Sequence, residues 1–166
     1  MTPADFINRF SMQPHPEGGY FTSSYHASLL LPVTVLPSNY HGDRPVSTAI
    51  YYLVEKGDFS SFHRIASDEC WHFYAGGPLW IHALAMDGSY TRTTLGPGEG
   101  MVFQHVVKAG TWFASEPAIE SDFSFVGCTV SPGFHFDEFE MATSAVLITQ
   151  FPAQASLINR LCRSPL

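Results

Sequence analysis

An all-β barrel or sandwich with a short helix near each end is the fold that this chain of 166 residues predicts. Two observations carry it. Short runs rich in Val, Ile, Thr, Tyr, Phe and Trp recur from Tyr20 to Val130, divided by Gly, Pro, Asn and Asp turn signals, as in sandwiches and barrels. No alternation of strand and helix patterns supports a parallel sheet. Aromatic residues make up 14% of the chain and charged residues also 14%, a balance that suits a β-rich protein with an aromatic interior.

The elements follow in order. Thr2 is a candidate N-cap, Pro3 occupies the first helical position and Asp5 the first turn, with Phe6, Ile7 and Phe10 as the apolar stripe of a short helix. The segment Pro14-His15-Pro16-Glu17-Gly18-Gly19 ends it and leads into a strand from Tyr20 to His26. Leu29 to Arg44 carries Pro32, Pro37, Asn39 and Gly42, so it reads as a hairpin or long loop around Pro37-Ser38. Ser47 to Glu55 is a central strand. Further strands are expected at Asp58 to Ile65, Glu69 to Tyr74, Leu79 to Met86, Tyr90 to Leu95 and Met101 to Val107. Ala109 to Ala114 continues the sheet, and Asp122 to Val130 is the last long strand. After Ser131-Pro132-Gly133, Phe134, Phe136 and Phe139 interleave with acidic residues in a tail expected to close over a barrel end. Ala153 to Cys162 carries Leu157, Ile158 and Leu161 at helical spacing.

A chain of this length forms one domain and buries roughly 70% of the surface it exposes when unfolded. Its formal net charge of −7 disfavours nucleic acid and anionic membrane surfaces as partners. Cys70, Cys128 and Cys162 lack C-x-x-C spacing, so free thiols in a reducing cytoplasm are expected. No apolar run approaches the roughly 20 residues that span a bilayer, and Met1 to Phe10 lacks the apolar stretch of a signal peptide.

Chemistry concentrates between Gly57 and Gly77. His63, Glu69 and His72 fall within ten residues, each able to bind a metal or carry a proton. Alternation puts Phe59, Ser61, His63 and Ile65 on one face of the first strand; Glu69, Trp71 and Phe73 share a face of the second, with His72 on the other. The spacing Gly57-x5-His63-x-Ile65-x3-Glu69-x6-Gly76 resembles the first motif of the cupin superfamily, with Ile65 where a second His stands. The second cupin motif aligns with Lys108 to Phe113, where Phe113 replaces its His. The phrases HPEGGYF (His15 to Phe21), WHFYAGGPL (Trp71 to Leu79), AGTWFA (Ala109 to Ala114) and VGCTVSPGFHFDEFE (Val126 to Glu140) resemble a small single-domain cupin branch of mostly unassigned activity. More distantly, the chain is similar to metal-free epimerases of the dTDP-4-dehydrorhamnose type.

The resemblance implies a cupin double-stranded β-helix, a jelly-roll barrel, packed into a homodimer. It implies three possible functions. In the first, His63 is the base of a metal-independent epimerase or isomerase acting on a sugar-like or sugar-nucleotide substrate. Glu69 then fixes its tautomer, and Tyr52 or Tyr74 supplies the opposite-face proton. In the second, the pocket binds a sugar, base or other planar ligand without turnover, Trp71, Phe73, Trp80, Trp112 and Phe113 giving stacking faces and His63 and Glu69 only hydrogen-bonding it, with His72, Glu17 and Gln104 as further ligand-binding candidates. In the third, His63 and Glu69 hold a divalent transition metal with a further ligand such as His72 or His105. Ile65 and Phe113 offer no lone pair, so no cofactor is expected.

Overall fold

The computed structural model describes residues 1–163. Helix α1 (Pro3–Phe10) precedes β1 (Gln13–Pro14), β2 (Tyr20–His26), β3 (Leu30–Leu31), β4 (Arg44–Pro45), β5 (Thr48–Glu55), β6 (Ser60–Arg64) and β7 (Asp68–Gly76). Strands β8 (Leu79–Leu84), β9 (Tyr90–Leu95), β10 (Gln104–Val107), β11 (Trp112–Pro117), β12 (Phe123–Ser131) and β13 (Glu140–Met141) follow, then helices α2 (Ser144–Gln150) and α3 (Ala155–Leu161). Two antiparallel sheets form a jelly-roll barrel, one of six strands in the order β1-β2-β5-β12-β7-β10 and one of five in the order β13-β6-β11-β8-β9; β3 and β4 make a small separate ribbon.

Strand alternation builds three apolar layers from this arrangement. Tyr52 pairs in register with Val126, and both turn inward with Trp71, Ile81, Leu95 and Phe113 to fill the barrel. Their neighbours Leu53 and Phe125, also in register, turn outward against Phe6 of α1. That helix starts with a capping box: the Thr2 side chain accepts from the Asp5 amide, and the Asp5 carboxylate accepts from the Thr2 N–H. On the opposite side, Leu147 of α2 and Ile158 and Leu161 of α3 bury Phe62, Leu84 and Trp112 of the five-stranded sheet.

Several sequence expectations need correction. Strand β11 begins at Trp112 rather than Ala109, because Gly110 takes a positive φ of 75° in the turn before it. Strand β10 begins at Gln104 rather than Met101; the Met101 sulfur packs against Gly96, and Val102 forms only a parallel bridge to Leu95. Helix α2 was not visible in the sequence. The largest correction is in β6. Phe113 faces His63 while Ser115 faces Ser60, so β6 carries one residue more than its partner between these pairs. Ser60 therefore joins the His63 side, while Ser61 donates to the Leu161 carbonyl of α3 and Phe62 packs under the helices. The expected face of Phe59, Ser61, His63 and Ile65 is broken at this bulge.

Candidate active site

A cavity of about 190 Å³ lies inside the barrel. Its walls are mostly apolar: Phe21 of β2, Ile50 of β5, Ile65 after β6, Val130 of β12, and Phe134, Phe136 and Phe139 from the tail after β12. The tail thus covers the cavity. It is tied down by the buried Arg44–Glu138 ion pair and by the His41 amide donating to Glu138.

Glu17 enters the cavity from the strap between β1 and β2. Gly18 and Gly19 have φ of 115° and 67°, a region that side chains resist. A Cβ on Gly19 would lie 2.6 Å from the Leu53 carbonyl oxygen, so only glycine lets the strap run this close to β5. The Tyr52 hydroxyl donates to the Gly18 carbonyl at 2.7 Å and the Gly19 amide to Asp58 at 2.9 Å. The Glu17 carbonyl accepts from the Ser61 amide at 2.9 Å and from Arg163 Nε at 3.0 Å.

The Glu17 carboxyl meets His63. Glu17 Oε1 accepts from Ser60 Oγ at 2.9 Å, and Oε2 lies 3.2 Å from His63 Nε2. The other ring nitrogen, Nδ1, is 2.7 Å from the Ser61 carbonyl oxygen. A carbonyl only accepts, so Nδ1 carries hydrogen and Nε2 presents its lone pair unless the ring is charged. One proton must then sit between Nε2 and Oε2. Burial disfavours both charges: it lowers the imidazole pKa to about 4 and raises that of the Glu17 carboxyl. The pair is accordingly a neutral imidazole accepting from a protonated carboxyl. His15 stands beside it and receives the Glu17 amide N–H on its own Nδ1 at 3.3 Å.

Glu69 of β7 is the second carboxyl of the cavity and is 8% exposed. Burial foremost, and the neighbouring Glu17 carboxyl second, push its pKa up to about 8. It therefore holds a proton at neutral pH. Among the described residues no N–H or O–H group donates to it; its neighbour is the buried Cys128 thiol, which burial and Glu69 hold protonated.

A family model described as the cupin superfamily (DUF985) matches residues 4–142. The chain belongs to this cupin family. Two solved structures resemble the cupin along its whole length. A protein from Shewanella oneidensis is 34% identical with a TM-score of 0.87, covering 99% of each chain. A hypothetical protein from Leishmania major is 29% identical with a TM-score of 0.90, covering 99% of this chain and 100% of that one. Oxalate decarboxylase from Bacillus subtilis shares the fold, at 14% identity and a TM-score of 0.55 over 92% of this chain and 37% of that one. No curated protein matches.

In this cupin the donor set does not fit a catalytic metal. No group of three or more His, Cys, Asp or Glu is arranged to hold an ion among the described residues, whereas catalytic sites take at least three protein ligands. His63 Nδ1 is committed to Ser61 and Nε2 to Glu17, and Ile65 and Phe113 stand at the other two positions.

Of the residues singled out in the sequence, the cavity brings together His63, Glu69, Tyr52 and Glu17. Phe113 lies beneath His63, ring centroids 4.1 Å apart, and Trp71 and Phe73 belong to the packed interior, not the cavity wall. The Trp71 indole N–H is buried there with no acceptor. His72 and Gln104 bond each other at 2.9 Å and His72 reaches Thr129 at 3.0 Å. All three share the outer face of the six-stranded sheet with Tyr74, which covers Gly127 and is half exposed. Sequence spacing predicted that outward turn for His72. The carboxyl facing His63 is Glu17 and not Glu69, which corrects the expected tautomer-fixing role. His15, Cys128 and the three tail phenylalanines complete the site; the HPEGGYF phrase and the aromatic tail were their only signals.

Proposed function

We propose that this cupin transfers a proton next to a carbonyl group in a small substrate, as a metal-independent isomerase or epimerase. One observation carries the reading: a single apolar cavity holds a His63–Glu17 pair sharing one proton and, separately, a Glu69 carboxyl protonated at neutral pH. Groups whose surroundings fit them for opposite tasks are the mark of acid–base chemistry. When the shared proton lies on His63, Glu17 is a carboxylate base. It takes the proton on carbon, and the electron pair moves onto the carbonyl oxygen, where the Glu69 O–H donates a hydrogen bond. In an α-hydroxy carbonyl substrate, return of the proton to the former carbonyl carbon, with the hydroxyl proton passing to the old carbonyl oxygen and the hydroxyl oxygen becoming the new carbonyl, isomerises the substrate; return to the other face of the same carbon, from a second donor, epimerises it. Tyr52 is an unsuitable second donor, since its proton is given to Gly18 and burial raises its pKa further.

The test is exchange of substrate hydrogen for deuterium in heavy water, followed by proton NMR across a panel of small ketones and aldehydes, sugar-like ones included. Exchange at the carbon beside the carbonyl, lost in Glu17→Gln and His63→Ala, supports the proposal. A panel showing no exchange above the buffer rate overturns it. Plain ligand binding is the second reading, favoured by the aromatic cover of the cavity; a ligand bound tightly and recovered unchanged supports it.

A further inference from the structure

The cavity also states the charge of what enters it. Resting on the ligand site just proposed, we infer that the substrate is uncharged: a small carbonyl compound on an apolar or aromatic frame, without phosphate, carboxylate or nucleotide diphosphate. The first argument is where the positive charges stand. The chain has eight Lys and Arg residues, and none lines the cavity. Arg44, Arg64, Arg160 and Arg163 pair with Glu138, Glu140, Glu116 and Asp58. Lys56 and Lys108 face Asp122 and Asp68 on the surface. Arg9 and Arg92 lie over the rings of Phe10 and Trp80. An anion in the cavity would meet two carboxyls and no Lys or Arg, only imidazoles, of which His15 and His63 are held neutral by burial, after approaching a chain of net charge −7. Buried charge without a partner is strongly disfavoured.

The second argument is what the wall offers. Glu69 is more than nine-tenths buried, reaches into the cavity and receives no N–H or O–H bond among the described residues. Its one side-chain partner is the Cys128 thiol, a weak hydrogen-bonding group, so as a protonated carboxyl it can donate to a stronger acceptor, which a carbonyl oxygen supplies. Beside Ser23, Thr48 and His26 the rest of the wall is rings and aliphatic groups: Phe134, Phe136 and Phe139 meet edge to face within 6.0 Å of one another, and Phe21 meets His15 edge-on at 4.6 Å. Such a wall accepts an apolar frame, and about 190 Å³ admits a single ring with a short substituent.

Three probes of one shape and different charge test this: cyclohexanone, cyclohexylammonium and cyclohexanecarboxylate, followed by ligand-observed NMR titration of the intact protein. The ketone is expected to bind at least tenfold more tightly than either ion at pH 7. Its affinity should fall roughly tenfold between pH 7 and pH 9 as Glu69 ionises. Glu69→Gln, which keeps a donor but does not titrate, should bind the ketone without that fall. Of the other titratable groups in the cavity, His15 and His63 are held neutral by burial and Tyr52 and Cys128 are held protonated, while His26, on the same wall, and Glu17, shared with His63, are common to parent and variant. Ammonium binding as tight as the ketone, or carboxylate binding as tight, overturns the inference. If none of the three binds, the cavity is not a ligand site and the proposed function falls with it. Ketone binding without deuterium exchange overturns the proposed function alone.

Discussion

Glu17 and Glu69 are both buried carboxyls of one cavity, yet substitution by glutamine should separate them. In Glu17→Gln the amide still donates to His63 Nε2, so folding stability should change by less than about 1 kcal/mol, while deuterium exchange falls about 10²- to 10⁴-fold because no proton can be handed on. Glu17→Ala instead strands the Ser60 hydroxyl and His63 Nε2, and should cost about 1–3 kcal/mol in urea denaturation. His63 and Glu69 were legible in the sequence because their spacing is local, set by two consecutive strands and the short turn between them. The His63–Glu17 bond was not: its partners come from different elements, and alternation within β6 says nothing about what the strap delivers opposite. Tyr74 shows the converse: it lies within the motif, yet β7 turns it to the outer face of the sheet, over Gly127.

At the scale of elements the strap governs the site, and its two glycines govern the strap. Gly19→Ala forces a side chain onto a positive φ and against the Leu53 carbonyl, so a loss of about 2 kcal/mol or more is expected in thermal or urea melts. Arg163→Ala removes the bonds to Glu17, Asp58 and Phe59. Because Arg163 is about one-third exposed, the stability cost should be modest, about 1 kcal/mol. The sharper expectation is local: amide hydrogen exchange at Gly18, whose N–H bonds the His15 carbonyl, should speed up while β5 and β12 stay protected. Strands were legible from their turns, as with Asp87-Gly88 between β8 and β9. The β6 bulge was not, because an extra residue leaves the polarity pattern unchanged and shows only against its partner strand. Helix α2 escaped because its Val, Leu, Ile and Thr read equally well as strand.

For the molecule as a whole, the buried titratable groups set how stability varies with pH. Below its unfolded value of 4.5, Glu69 is protonated folded or unfolded and contributes no pH-dependent penalty. As pH rises from there to about 8, only the unfolded chain ionises, so stability falls. His63 works in the other direction: its contribution is intact above 6.5 and is lost as pH drops toward about 4. Glu69→Gln should therefore gain on the parent by on the order of 3 kcal/mol between pH 5 and pH 9, read from urea midpoints at each pH. A constant gap would show that Glu69 ionises normally. The barrel was legible at this scale, since many short strands with frequent turns leave few alternatives, whereas the order in which the strands pair depends on long-range contacts that no local pattern encodes.

The contact between Arg163 and the Glu17 carbonyl spans 146 positions of the chain. A ribosome adding about 5–20 residues per second makes the strap early and its clasp about seven to thirty seconds later. Every nascent chain therefore passes through a stage in which barrel strands are available but the strap that carries Glu17 is held only by its bonds to Tyr52, Asp58 and Ser61. A chain stalled after Ser131 would lack the Arg163 clasp, β13 and the aromatic tail that covers the cavity, leaving Glu17 and His63 open to water.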